Sequence, residues 1–134
     1  MPINYTVEPH LSAEEFQAVL VTSTLGQRRP VSDLDRLAKM LREADLVVTA
    51  RDGGALVGIS RAVTDFSYCC YLSDLAVDVK YQRQGIGRRL IEETHRAAGE
   101  ETTLILVAAP AAESYYPHIG MQQRPSCWII PKKR

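Results

Sequence analysis

Six residues, Gln82, Arg83, Gln84, Gly85, Ile86 and Gly87, set two glycines one residue apart inside a polar loop, and Arg88 and Arg89 follow directly. The residues before them read as a strand and those after as an amphipathic helix, so the loop sits at a helix N-terminus. The first helical N–H groups there have no intrahelical partner, and the helix dipole adds roughly half a positive charge, which favours a bound phosphate. Glycine lets the backbone come close to such an anion, where a Cβ would hold it off. Arg83, Arg88 and Arg89 can add charge-assisted contacts, with at least one of them facing solvent. G-x-G alone is also found in ordinary strand-to-helix turns. The Walker phosphate loop does not fit, because no G-K-S/T follows. The dinucleotide fingerprint fails at its third glycine, where Leu90 stands.

The elements that must position this loop follow from periodicity. INYTVEP alternates apolar and polar residues and ends at Pro9, which predicts a first strand. Ser12 with Glu15 is a capping-box pattern, and Phe16, Val19 and Leu20 give the helix it opens an apolar stripe. TLGQRRP breaks that helix. Ser32 with Asp33 starts a second one, carrying Leu34, Leu37 and Leu41 on one face. DLVVTARD and ALVGISRAVTD, joined at Gly53 and Gly54, predict a hairpin. YCCYLSDLAV is a longer strand with apolar residues on both faces, expected to be central. The helix after the loop runs from about Gly87 to Ala98, with Ile86, Leu90, Ile91 and Thr94 inward. TTLILVAA predicts a buried strand, residues 111–119 a short helix despite Pro117, and SCWIIP a last strand. The expected fold class is α/β (α+β), a mixed, centrally splayed sheet with helices on both faces. The expected order is β-α-α-β-β-β-α-β-α-β, in one domain over residues 1–134.

Composition narrows the function classes. Lys plus Arg and Asp plus Glu each number 16 in the 134 residues, giving no net charge. That argues against a nucleic-acid or anionic-membrane partner. Apolar residues are 46% of the chain, with no run near the roughly 20 needed to span a bilayer, and MPINYTVEPH lacks the build of a signal peptide. The expectation is a cytoplasmic protein. The three cysteines, two of them adjacent at 69 and 70, form neither a disulfide framework nor a zinc spacing and are expected to pack. No His, Cys or carboxylate set has metal-ligand spacing.

The stretch YLSDLAVDVKYQRQGIGRRLIEE resembles the acetyl-coenzyme A signature of the GNAT superfamily of N-acetyltransferases, whose loop reads Q/R-x-x-G-x-G/A after a strand of the LAV type. Residues 82–87 match that loop in full. AAESYYPHIGM is similar to the family's A-x-x-F-Y-x-x-x-G-F helix, with Tyr116 at the tyrosine, so the likeness covers about residues 45–125. The resemblance implies acetyl-coenzyme A as co-substrate. It places the pantetheine arm along the backbone of Leu75, Ala76 and Val77, and the pyrophosphate on the N–H groups of residues 83–88. It implies direct attack by a primary amine in a ternary complex, with a small-molecule acceptor expected and a homodimer among the assemblies common in the family.

Two chemical demands follow from that reaction. An alkyl amine with a pKa of about 10 must lose a proton, at a cost of roughly 4 kcal/mol at neutral pH. Asp74 is the candidate base, directly or through water, with Tyr71 behind it; the alternative for Asp74 is a structural carboxylate at a strand bulge. Tyr71 stands where some family members carry a glutamate base. The departing thiolate needs a hydrogen bond, for which Tyr116 is the candidate and Tyr115 its competitor, since Pro117 leaves the helix register open by one residue. Arg28 and Arg29 either border the acceptor pocket and select an acidic acceptor or lie in a solvated turn. His118 can shape the substrate site. The rival functions are a non-catalytic acetyl-coenzyme A sensor, a protein N-acetyltransferase and a nucleotide-binding module.

Overall fold

A computed structural model describes residues 2–133 of the chain. Strand β1 (Ile3–Val7) leads to helix α1 (Ala13–Thr22), a 3-10 turn at Leu25–Arg28, and α2 (Leu34–Arg42). Strands β2 (Leu46–Asp52), β3 (Ala55–Thr64) and β4 (Cys69–Val77) follow as a meander. Helix α3 (Ile86–Ala98), β5 (Thr103–Ile105) and the one-turn α4 (Tyr115–His118) complete the order. The sheet order is β1-β2-β3-β4-β5, antiparallel except for the parallel pair β4–β5.

Local sequence explains the helix starts. Ser12 caps α1 by accepting the Glu15 N–H at 3.1 Å, and Asp33 rather than Ser32 caps α2 by accepting the Arg36 N–H at 3.0 Å. Either oxygen satisfies a donor that the first turn leaves unpaired. Phe16, Val19 and Leu20 of α1 and Leu37 and Leu41 of α2 pack on Val47, Ile59 and Ala76, forming the core on one face of the sheet. On the other face Ile86 and Leu90 of α3 pack on Val48, Ala50 and Val57, and Ala98 packs with Leu46, Ala62 and Cys70.

The predicted order holds through α4, where two elements are shorter than expected, and the last expected strand does not form. TTLILVAA pairs only at Thr103–Ile105, because beyond Ile105 the chain diverges from β4 and has no ladder to join. The last helix shortens to Tyr115–His118 behind a 3-10 turn at Pro110–Ala112. SCWIIP forms no strand: Trp128, Ile129 and Ile130 are exposed and outside the sheet. An extended, apolar sequence has strand propensity, but a strand needs a partner edge, and this segment lies against none within the described residues. No helix among them is long and apolar enough to cross a membrane.

A polar clasp holds α1 to the strands. Arg51 on β2 donates from Nε and Nη2 to Glu8 at 2.8 and 2.9 Å and from Nη1 to Glu15 on α1 at 2.9 Å. These bonds from Arg51, helped by Thr49 and opposed by partial burial, hold the Glu8 carboxyl below its ordinary value of 4.5. A carboxylate more acidic when folded stabilises fully above its unfolded pKa and loses that contribution as pH falls through the folded one. Denaturation midpoints measured from about pH 6 to about pH 3 will therefore fall more steeply for the native chain than for Glu8→Gln.

Candidate active site

The site begins where β4 and β5 part. They pair at Cys69–Thr103, Cys70–Leu104 and Tyr71–Ile105, and then the ladder stops. From Leu72 to Val77 strand β4 remains paired to β3 alone. Asp78 donates its N–H to the Val57 carbonyl on the β3 side at 2.8 Å. Antiparallel ladders alternate, so Ala76 also turns its backbone groups toward β3 while Leu75 and Val77 turn theirs to the open side. Of the three residues expected to offer a backbone edge, Leu75 and Val77 do so and Ala76 does not.

Beyond β4 the loop rises to the N-terminus of α3. Arg83 (φ 65°) and Gly85 (φ 80°) both adopt left-handed backbone conformations, and Gly85 is the residue that caps the helix. Successive turns of this kind aim backbone N–H groups into a concavity suited to an anion. Ile86 contributes only its backbone there, since its side chain is in the core. The Gln82 side chain turns back, donating Nε2 to the Val77 carbonyl at 3.1 Å. Gln84 is exposed. Arg88 and Arg89 pair along the helix with Glu92 at 3.5 Å and Glu93 at 2.7 Å, and the Arg89 guanidinium also covers the Tyr5 ring at 4.7 Å. Arg83 has no such partner among the described residues.

Tyr115 and Tyr116 divide the space that separates the loop from the split. A Cβ on Gly87 would lie 3.1 Å from the Tyr115 hydroxyl, so any larger residue there would push the hydroxyl back by a few tenths of an ångström. Burial pushes the Tyr115 hydroxyl above its ordinary pKa of 10, against the Arg88 backbone N–H that bonds to it. Tyr116 meets the Tyr115 ring edge-on with centroids 5.3 Å apart and lines a cleft of about 60 Å³ with Leu25, Arg29, Leu72, Leu75 and Val107. Its hydroxyl is raised as well, by burial first and by Tyr115 second. Both phenols are therefore protonated at neutral pH, and only Tyr116 lines the split.

Asp74 is wholly buried and has no free oxygen. The β4 ladder skips Ser73 opposite Arg61 and Ala62, and this bulge directs the carboxylate to two guanidiniums: Oδ1 accepts from Arg29 Nε and Oδ2 from Arg61 Nε. Arg29 Nη2 continues to the Ser73 carbonyl at 2.8 Å and Arg61 Nη2 to the Ser73 hydroxyl at 3.1 Å. The expectation of a carboxylate base at Asp74 is thus corrected to an ion-pair anchor at a strand bulge. Arg29 is drawn inward to the cleft by that anchor, whereas Arg28 is exposed and only its carbonyl is used, accepting from Arg29 at 2.9 Å. Tyr71 is half-exposed at the last rung before the split, and His118 is exposed on α4. Sequence reasoning missed Arg61, although a lone arginine inside the apolar run ALVGISRAV signals a buried partner. It also missed Leu25, Leu72 and Val107 as cleft walls, for which no local pattern exists. Among the described residues no group of three or more His, Cys, Asp or Glu is placed to hold a metal.

Known proteins share this fold. A family model described as an acetyltransferase (GNAT) domain matches residues 9–124. A GNAT-family acetyltransferase from Streptococcus pneumoniae has the same fold at a TM-score of 0.76 and 23% identity, over 98% of this chain and 100% of that one. An aminoglycoside acetyltransferase from an uncultured soil metagenomic sample, solved with sisomicin, superposes at 0.68 with 21% identity over 97% of both chains. A histone acetyltransferase from Glycine max is 27% identical over 111 residues, 73% of this chain and 47% of its own length. The chain spans less than half the length of the curated relatives it matches.

Asp74→Asn keeps the side-chain shape but leaves two largely buried guanidiniums without an anion. Breaking a buried pair from one side costs about 3–5 kcal/mol, and chemical denaturation will show a loss of that order. A loss under about 1 kcal/mol, the scale of an exposed ion pair, would restore Asp74 as a free carboxylate.

Proposed function

The chain belongs to the GNAT acetyltransferase family, and on that premise we propose that it transfers acetyl from acetyl-coenzyme A to a small-molecule primary amine by direct attack in a ternary complex. One observation carries the reading: the open backbone edge of Leu75 and Val77 lies between the glycine-capped N-terminus of α3 and the half-buried Tyr116. The co-substrate's chemistry is that of an activated thioester, with a diphosphate at one end and an amide-bearing arm between. Each part meets a fitting group in the chain. The N–H groups of residues 83–88 suit the diphosphate, in a turn that Gly85 and Gly87 leave free of Cβ atoms. Leu75 and Val77 suit the amides, as an extended ligand adds to a strand edge.

At the split the protein has two tasks. The acceptor must be a neutral amine, and the cleft works toward that by its apolar walls and by the Arg29 guanidinium on its border. Burial and a like charge both disfavour the ammonium form. No carboxylate with a free oxygen lines the cleft among the described residues, so the proton leaves to water. The second task is to hold the departing sulfur. Tyr116, kept protonated by burial, donates a hydrogen bond there. Full proton transfer to a thiolate of pKa about 8.5 is uphill, so the hydroxyl acts as a donor that stabilises charge. Arg29, fixed by Asp74, is a positioning residue.

A thiol-release assay with acetyl-coenzyme A and a panel of alkyl amines, aminoglycosides and lysine peptides tests the proposal. Release above background is expected with a small amine. Tyr116→Phe should lower kcat on the order of 100-fold, the low end for a positioned proton donor, with the KM for acetyl-coenzyme A little changed. Tyr115→Phe should do the reverse, raising that KM with kcat nearly intact. Thermal stabilisation by acetyl-coenzyme A without release for any amine would instead support a sensor, and release with lysine peptides alone would support a protein acetyltransferase.

A further inference from the structure

An uncovered apolar row crosses the sheet at the end where β4 and β5 are still paired. Val63 on β3 lies opposite Tyr71 on β4, and Tyr71 lies opposite Ile105 on β5. These side chains are 47%, 45% and 50% exposed. Residues in register share a face of the sheet, and so do residues two apart on one strand. Val63 is two residues beyond Arg61, whose guanidinium meets Asp74 and reaches the Met40 carbonyl of α2 at 3.5 Å. The row therefore lies on the α1 and α2 face, where α2 ends at Arg42 and leaves it open. It also runs into the cleft. Leu72 and Ser73 after Tyr71, and Leu106 and Val107 after Ile105, are cleft walls, and Val107 is itself exposed. From Val63 to Ile105 the row spans two interstrand gaps, about 10 Å, and Ile105 to Val107 is about 7 Å along an extended chain. The first length suits a ring or two fused rings, the second a short alkyl arm.

We infer that this row seats the body of the acceptor, and that the acceptor is a primary amine on a short alkyl arm attached to a flat, uncharged apolar ring. The inference rests on the acetyl-transfer reading and adds a substrate class to it. Charge selects against the alternatives. Arg29 is the one charged side chain among the described residues that line the cleft, so a polycation meets a like charge there and no carboxylate. An acidic substituent fares no better, because Nε, Nη1 and Nη2 of Arg29 already donate to Asp74, the Arg28 carbonyl and the Ser73 carbonyl. Recognition beyond the amine is left to apolar contact. A ring laid on Val63, Tyr71 and Ile105 removes apolar surface from water on both partners, and Tyr71 offers it an aromatic face. The arm then passes Val107 into the split and brings the nitrogen toward the wall that holds Tyr116.

Thiol release from acetyl-coenzyme A is measured with 2-phenylethylamine, with ethylamine as the same arm without the ring, and with spermidine as a polycation. The native chain is expected to favour phenylethylamine over ethylamine in kcat/KM by at least about tenfold, the scale on which apolar contact discriminates, with the difference carried by KM. Val63→Ser with Ile105→Ser should bring that ratio near unity at an unchanged melting temperature, since both side chains are exposed. Val63→Ile with Ile105→Val keeps the row apolar and should retain the preference. Equal kcat/KM for the two amines, or a higher value with spermidine, overturns this inference and leaves acetyl transfer standing. A preference indifferent to the serine pair overturns it equally. Release with lysine peptides or aminoglycosides but none of these amines does the same, whereas release with no amine of any class defeats both readings. A native chain of doubled mass that the serine pair returns to single mass would give the row to a second copy and overturn the inference.

Discussion

A strand flanked on both sides yet paired on only one is the constraint around which this molecule is organised. Buried backbone N–H and C=O groups are almost always satisfied, and β4 meets that rule through β3 along its length but through β5 only as far as Tyr71. From Leu75 onward the open side offers backbone donors and acceptors with no strand partner, of which the Val77 carbonyl is taken by the Gln82 side chain. The divergence also opens the cleft. A sheet fully paired here would have no room for Tyr116 to face Leu72 and Leu75.

Such a split needs support from outside the ladder, and three contacts supply it. The Gln82 side chain caps the Val77 carbonyl at the end of β4. The Arg29–Asp74–Arg61 cluster ties the connection after α1 to β4 and β3 at the Ser73 bulge. Tyr115 closes the remaining side by reaching the first turn of α3 across Gly87. A bulge beside an active site is a common way to re-aim one side chain. Here it moves Asp74 to the α1 and α2 face, where both of its oxygens are taken by the ion pair.

Much of the fold was legible because its elements are locally encoded. The capping oxygens of Ser12 and Asp33, the period of Phe16, Val19 and Leu20, and the Gly53–Gly54 turn each act within a few residues. The turn that opens α3 was legible for the same reason, since glycine positions and a helix start are short-range. SCWIIP was misread because strand propensity says nothing of whether an edge is within reach. Asp74 stayed open between a base and a structural carboxylate because a carboxylate in a strand looks the same in sequence whether it faces solvent, an amine or two arginines 13 and 45 residues away.

The sequence alone determined the order of elements through α4, the glycine turn that opens α3 at 82–87 and the family resemblance it carries, because each depends on backbone geometry set by neighbours in the chain. Tertiary structure alone decided which backbone groups of β4 stay free, which of two adjacent tyrosines enters the split, and that Asp74 is held by two guanidiniums. Those outcomes depend on where β5 leaves β4 and on how a one-residue bulge rotates the strand. Both are fixed by packing between segments far apart in the chain, and no local pattern records them.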